Sequence, residues 1–262
     1  MKIITDVTKH NKKIKKSIKK YGSFAEHNFL HYMNCQTYGD KNVFFEYKDD
    51  KGLLMQYDKK NEVWCLFPCG ILAPESERLK MLMDSIRYVL YQKKAKKITV
   101  EVSENIRKGI IGKLKSKKGI RACKYTEILY WPIFNMRSWD PKLKGNKMKK
   151  LRNIRNRFYK QYRVRIKDSR KVPIEKLKNI FQNWIKKRSM NDSVDKEYYI
   201  NLIENNFKGV DMAKTLYVDG IPATITAGWK IPNSKDYYSA IGIVDYSYPG
   251  LGEIANMDDL NR

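Results

Sequence analysis

KGNKMKKLRNIRNRFYKQYRVRIK, residues 144–167, decides how this chain divides. It contains no acidic residue, and Lys or Arg fills nearly every second position. At 3.6 residues per turn, 146–162 puts Met148, Leu151, Ile154 or Arg155, Phe158 and Tyr162 on one side. That is an apolar stripe which must pack against a domain. Lys147, Lys150, Arg157 and Lys160 fall on flanking or outer faces. Alternation over Tyr162–Ile166 then hands the chain over to a strand. The segment reads as a packed connector with a basic outer face, not as a free tail, so two halves are expected, 1–143 and 144–262.

Composition bounds what those halves can be. The chain has 262 residues, 42% of them apolar, which is enough for a core and excludes a disordered basic tail. A net charge of +26 attracts polyanions such as nucleic acid, anionic headgroups or phosphorylated carriers. Residues 1–22 lack the apolar run of a signal peptide, and no stretch approaches the ~18 apolar residues of a membrane span. The expectation is a cytoplasmic protein, with peripheral attachment to an anionic membrane through 9–20 and 144–163 left open. Four cysteines suit reduced thiols better than a disulfide framework.

Each half shows the same order of elements. A short basic helix over 9–20 and a helix over 23–35 precede three strand-like runs, NVFFEYK, GLLMQYD and EVWCLFP, which form a meander. PESERLKMLMDSIRYVLYQKKAKK (74–97) is an amphipathic helix, followed by a strand at 97–103, a helix from 105 and a strand at 126–134. The second half repeats with helices at 173–188 and 195–207. Three strands follow, joined by the Asp219–Gly220 turn and by PNSKD. YPGLG then leads into a helix where the sequence stops, so the second half is expected to be a fragment. On the helix over 23–35, His27, His31 and Cys35 fall four apart, a spacing that could align metal ligands. No fourth ligand lies nearby and core-like residues surround them, so no metal is expected.

Two helices, a three-strand meander and a turn into a helix resemble the front of the Gcn5-related N-acyltransferase (GNAT) fold. Two such units in tandem resemble the phosphatidylglycerol lysyltransferase C-terminal family and, more remotely, the Fem-type aminoacyltransferases. The joining motif reads Lys144-Gly145-Asn146-Lys147, then Leu151-Arg152, then Asn156-Arg157-Phe158, with Tyr248-Pro249-Gly250-Leu251 after a later strand. The resemblance implies an α+β fold of two tandem GNAT-like units, mixed sheets flanked by helices, the second incomplete at its C-terminus.

It also implies a donor site. In that superfamily a Gly-rich loop offers backbone N–H groups at a helix N-terminus to a pyrophosphate. Here the stretch is Ser247, Tyr248, Pro249, Gly250, Leu251 and Gly252, with Ser at the first position and a proline that removes one donor. Both departures weaken the case for acyl-coenzyme A. The matching stretch of the first half, Cys69–Pro74, lacks the glycine pair, so that half is expected to be degenerate. Candidate proton handlers are Asp245, Tyr246 and Glu253. Lys144, Lys147, Lys150, Arg152, Arg155, Arg157 and Lys160 are the polyanion-binding candidates. The implied activity is transfer of an aminoacyl group from aminoacyl-tRNA to an amine or hydroxyl, a lipid included, with no tightly bound cofactor. Two alternatives stay open: an acyl-coenzyme A-dependent N-acetyltransferase, and a non-catalytic module that binds RNA or anionic membrane.

Overall fold

A computed structural model describes residues 1–35, 39–115, 119–188 and 196–261. The chain is α+β and divides into two compact units, Met1–Ile128 with Lys230–Asp236, and Leu129–Trp229 with Tyr237–Arg262.

The first unit opens with β1 (Lys2–Ile4), α1 (Asn11–Tyr21) and α2 (Phe29–Asn34). The meander follows as β2 (Lys41–Glu46), β3 (Gly52–Asp58) and β4 (Val63–Leu72). Then come α3 (Glu75–Arg87), β5 (Ile98–Val100) and α4 (Glu104–Leu114). The sheet runs β1-β2-β3-β4-β5, antiparallel except for the β4–β5 pair, where α3 supplies the crossover that a parallel pair requires. Opposite β3 the register shifts between Leu53 and Met55, so β4 bulges where Pro68 lacks an N–H and Cys69 takes a left-handed backbone (φ 51°). The helix expected over 74–97 is α-helical only to Arg87 and ends in a π-helical turn, Tyr88–Gln92, but the stripe predicted on it packs as its spacing requires. Leu82, Met83, Ile86 and Val89 are buried against Phe45, Leu53, Met55 and Leu66, with Leu79 and Leu90 half-buried beside them. Each such side chain contributes roughly 1.5–3 kcal/mol on burial.

Two expectations fail for identifiable reasons. The helix expected over 23–35 forms only over Phe29–Asn34, because the Asn28 side chain caps it by accepting from Leu30 N (2.9 Å) and His31 N (3.1 Å). His27 therefore lies before the helix and shares no face with His31 and Cys35. Residues 126–134 form no strand. Pro132 sits inside that run and cannot donate to a ladder. Part of the helix expected from 105 (116–118), the first residue of the one expected over 195–207, and Tyr38 lie outside the described residues.

The second unit contains α5 (Lys149–Gln161), β6 (Val164–Asp168), α6 (Ile174–Lys186), α7 (Lys196–Glu204), β7 (Met212–Val218) and the two-residue β8 (Ile221–Pro222). It closes with β9 (Thr224–Lys230), β10 (Tyr237–Val244) and α8 (Leu251–Leu260). Its sheet runs β10-β9-β7-β6, with β8 paired to β7. The Asp219–Gly220 turn has positive φ at both residues (49° and 85°), the twist a two-residue hairpin needs. The connector packs as its pattern predicts. Phe158 is buried with Leu216, Val218, Leu251 and Ile254, and Met148, Leu151 and Tyr162 lean on that cluster.

Candidate active site

The site is built where β10 ends and α8 begins. Asp245 closes the strand. Its N–H donates to Ala223 O (2.8 Å), and its carboxylate accepts from Ser247 N (2.9 Å), an Asx-type turn. Lys187 Nζ reaches both Ser247 Oγ (2.7 Å) and Asp245 Oδ1 (3.7 Å). Tyr248 packs edge-on against Tyr162, with ring centroids 5.6 Å apart. Its phenol is pushed up by burial and by Asp245 and Asp219. Gly250, in the left-handed region (φ 92°), then starts α8. A Cβ there would meet Ile154 Cγ2 at 3.1 Å and Phe158 Cδ2 at 3.6 Å, so a side chain on this left-handed residue would also have to displace Ile154 of α5 by a few tenths of an ångström.

Beyond that turn lies a cavity of about 360 Å³, at the small end of the ~300–1,000 Å³ usual for ligand sites. Of the residues singled out in the sequence, Tyr246, Tyr248, Pro249, Gly250, Gly252 and Glu253 line it. Asp245 and Ser247 do not, being tied into the turn, and Leu251 is a core residue. Sequence reasoning missed Thr226, Ser239, Asn256 and Asp259. Ser239 Oγ donates to Asp259 Oδ2 (2.7 Å) across the cavity wall. Thr226 is buried, and its hydroxyl has no hydrogen-bond partner among the described residues. Glu253, Asn256 and Asp259 are three apart on α8 and form one face, a spacing visible in the sequence once Glu253 is placed on a helix.

The charge of this cavity runs against that of the chain. Its carboxylates are Glu253 and Asp259, and among the described residues no Lys, Arg or His lines it, although the whole protein carries +26. Gly242 and Gly252 leave open space on the lining. A small group bearing an ammonium fits these walls. The Leu251 amide at the start of α8 is taken up by Tyr248 O (3.1 Å), and the helix N-terminus that follows it suits a developing negative charge.

The basic helix divides its cations between two tasks. Arg152 donates to Leu143 O and to Gly145 O (3.2 Å), and Arg155 to Pro141 O (3.2 Å), so both staple the preceding loop. Lys144, Lys147, Lys150, Arg157 and Lys160 are exposed. An open trough of about 890 Å³ runs along the helix, lined by Lys147, Lys149, Lys150, Arg157, Asn146, Asn153, Asn156 and Ile154. Cations alternating with amide side chains suit a phosphodiester backbone. Ile154 lines this trough, and a Cβ on Gly250, which lines the cavity, would lie 3.1 Å from its Cγ2, so α5 carries the trough and packs on the turn that borders the cavity.

His27 and His31 of the first unit serve packing. His27 Nδ1 accepts from Ser23 N (2.8 Å) and Phe24 N (3.3 Å), and Nε2–H donates to Cys69 O (2.9 Å). Burial lowers both His27 and His31 to about 4, so they are neutral. The thiol of Cys69 is pushed up to about 12 by burial, Glu26 and Glu101, which leaves it protonated and a poor nucleophile. Among the described residues no group of three or more His, Cys, Asp or Glu could hold a metal ion, and no helix is long and apolar enough to cross a membrane.

Three solved structures share this architecture. A conserved protein of unknown function from Bacteroides thetaiotaomicron aligns over 99% of this chain and 86% of its own, at 18% identity and a TM-score of 0.70. The C-terminal domain of a protein assigned as a lysylphosphatidylglycerol synthetase from Agrobacterium fabrum aligns over 95% and 75%, at 13% identity and a TM-score of 0.62. L-PGS from Bacillus licheniformis aligns over 95% and 71%, at 11% identity and a TM-score of 0.61. At such identities the likeness shows the fold. No curated protein matches the chain. The family described as "Phosphatidylglycerol lysyltransferase, C-terminal" matches residues 25–240, most of the sequence, and the chain belongs to that family.

Proposed function

We propose that this protein is an aminoacyltransferase with two GNAT-like units, moving an aminoacyl group from aminoacyl-tRNA to an amine or hydroxyl of a lipid headgroup. The observation that carries this reading is an acidic cavity at a helix N-terminus in a chain of net charge +26, with a cationic trough on the helix that packs against the cavity's turn. Family membership supports aminoacyl transfer to lipid. The trough suits the phosphates of a nucleic-acid carrier, while the cavity suits the ammonium of the group it carries. An acetyl group has no such cation to offer Glu253 and Asp259.

In this reading the aminoacyl ammonium rests against Asp259, which Ser239 orients. The acceptor oxygen or nitrogen attacks the ester carbonyl carbon, and Glu253 takes its proton. Amides in the first turn of α8 hold the oxyanion. The bond to the terminal ribose oxygen then breaks, and Glu253 returns the proton to that oxygen. No cofactor is consumed.

The test supplies the protein with charged tRNA and phosphatidylglycerol vesicles and detects aminoacyl-lipid by mass spectrometry. The expected result is an aminoacyl-lipid product that Glu253→Gln reduces by about 100-fold or more, the usual scale for a lost proton acceptor, and Asp259→Asn by about tenfold or more, the scale of a lost charge-assisted hydrogen bond. Turnover with acetyl-coenzyme A and none with charged tRNA would refute the reading.

A further inference from the structure

Between the two units' sheets the chain carries LYWPIFNM, residues 129–136, with no regular structure over 129–135. Its side chains are turned outward: Tyr130 is 87% exposed, Ile133 93% and Phe134 69%, with Leu129, Trp131 and Met136 about half exposed. Scattered exposed apolar residues are ordinary, but six within eight positions are not. Pro132 in the middle of the run argues against a strand partner, because it breaks any ladder built there.

The surroundings say what covers it. Aromatic residues with apolar bodies and polar tips, followed by cations, are the composition of a segment seated at a bilayer interface. Arg137, Lys142 and Lys144 come next in sequence. The loop that follows is stapled to basic α5 by Arg152 and Arg155. Two signals, apolar insertion and basic attraction, give stable attachment where either alone is marginal.

Position adds a reason. Trp131 packs on Tyr238 of β10 (ring centroids 5.5 Å), and Trp139 Nε1 donates to Asn261 Oδ1 (2.8 Å) at the end of α8. β10 and α8 are the elements that wall the acidic cavity. We infer that residues 129–136 are a membrane-docking segment that seats in the interface of an anionic bilayer and holds the cavity of the second unit beside the headgroups. The advantage for catalysis rests on the proposed lipid acceptor; the docking itself does not.

The probe is a vesicle of phosphatidylglycerol and phosphatidylcholine, with phosphatidylcholine alone as the neutral counterpart. The wild type is expected to co-sediment with the anionic vesicles and shift its tryptophan emission to the blue. Trp131→Phe removes the shift. Ile133→Asp combined with Phe134→Asp, at positions too exposed to disturb folding, weakens binding at least about tenfold. The same double variant keeps transfer to a short-chain monomeric phosphatidylglycerol within about twofold, while transfer to vesicle lipid falls at least about tenfold. Wild type that docks as described but transfers to neither acceptor supports the docking segment and sinks the proposed function. Binding by the double variant within about twofold of wild type overturns the inference. So does a wild-type dimer that ignores vesicles and falls apart in the double variant, which would assign the segment to a protein partner.

Discussion

Replacing Gly250 with Ala tests the geometry that joins the basic helix to the cavity. Gly250 has φ 92°, and a left-handed backbone costs an L-residue about 1–2 kcal/mol. The new Cβ would also press on Ile154 Cγ2 at 3.1 Å, which must give by a few tenths of an ångström. Ile154 belongs to α5, whose neighbour Phe158 is held in the core, so relief is restricted, and overpacking adds about 1 kcal/mol. The sum is about 2–3 kcal/mol, or a fall in Tm of roughly 4–12 °C for a chain of this size. Gly252→Ala is the internal control. It lies in the first turns of the same helix, its φ is not positive, and a Cβ there meets nothing within 4 Å. That change should leave stability unchanged or raise it by about 0.5–1 kcal/mol. Urea denaturation followed by circular dichroism measures both. Equal stability of the two variants, within about 0.5 kcal/mol, would refute the close approach of α5 to the α8 turn.

Glu26→Gln probes a buried carboxyl. Burial, with help from Glu101, raises Glu26 from 4.5 to about 7. Because the folded protein holds this proton more tightly, its contribution to stability is complete below about pH 4.5 and is lost as pH rises through about 7. At pH 8 the glutamine variant should therefore gain up to about 3 kcal/mol relative to its difference at pH 4.5. His27 and His31, lowered by burial, tilt stability the opposite way, losing it as pH falls from 6.5 to about 4. Only the difference between variant and wild type isolates the carboxyl, and a pH-independent difference would contradict the assignment. Asn28→Ala removes the cap of α2 and should cost about 0.5–2 kcal/mol in the same denaturation assay. Changing Lys147, Lys150 and Arg157 together to Gln should lower the slope of log affinity for RNA against log salt by about 2–3, read by filter binding across a salt series. An unchanged slope would remove the trough from the account.

How far the sequence could be read depended on whether a signal was local. The meander and the buried stripe of the helix starting at 75 were legible because period-2 and period-3.6 patterns report burial directly, whereas the end of that helix, at Gln92 and not at 97, was not. The connector was legible for the same reason: Phe158 and Leu151 mark its inner face despite the surrounding charge. The helix over 23–35 was over-extended because the apolar spacing hid a cap at Asn28. The strand expected at 126–134 was drawn from apolar content that Pro132 should have discounted.

In the site, Tyr246, Gly250 and Glu253 were visible because they flank one turn. Ser239 and Asp259 are twenty residues apart and meet only once β10 and α8 are folded. Thr226 enters from a neighbouring strand, and no spacing rule reaches it. Arg152 and Arg155 could not be told from the other cations of their helix. Whether a guanidinium meets a carbonyl or a solvent-borne phosphate is set by the loop that folds back under it.

The central claim is that the acidic cavity receives an aminoacyl group from a nucleic-acid carrier. The most direct measurement is a single-turnover chase of labelled amino acid from charged tRNA into the lipid phase, run beside labelled acetyl-coenzyme A. The account predicts that label leaves tRNA for lipid, that Glu253→Gln slows this by about 100-fold, and that acetyl label stays behind. Acetyl transfer at the higher rate, with label retained on tRNA, would contradict it.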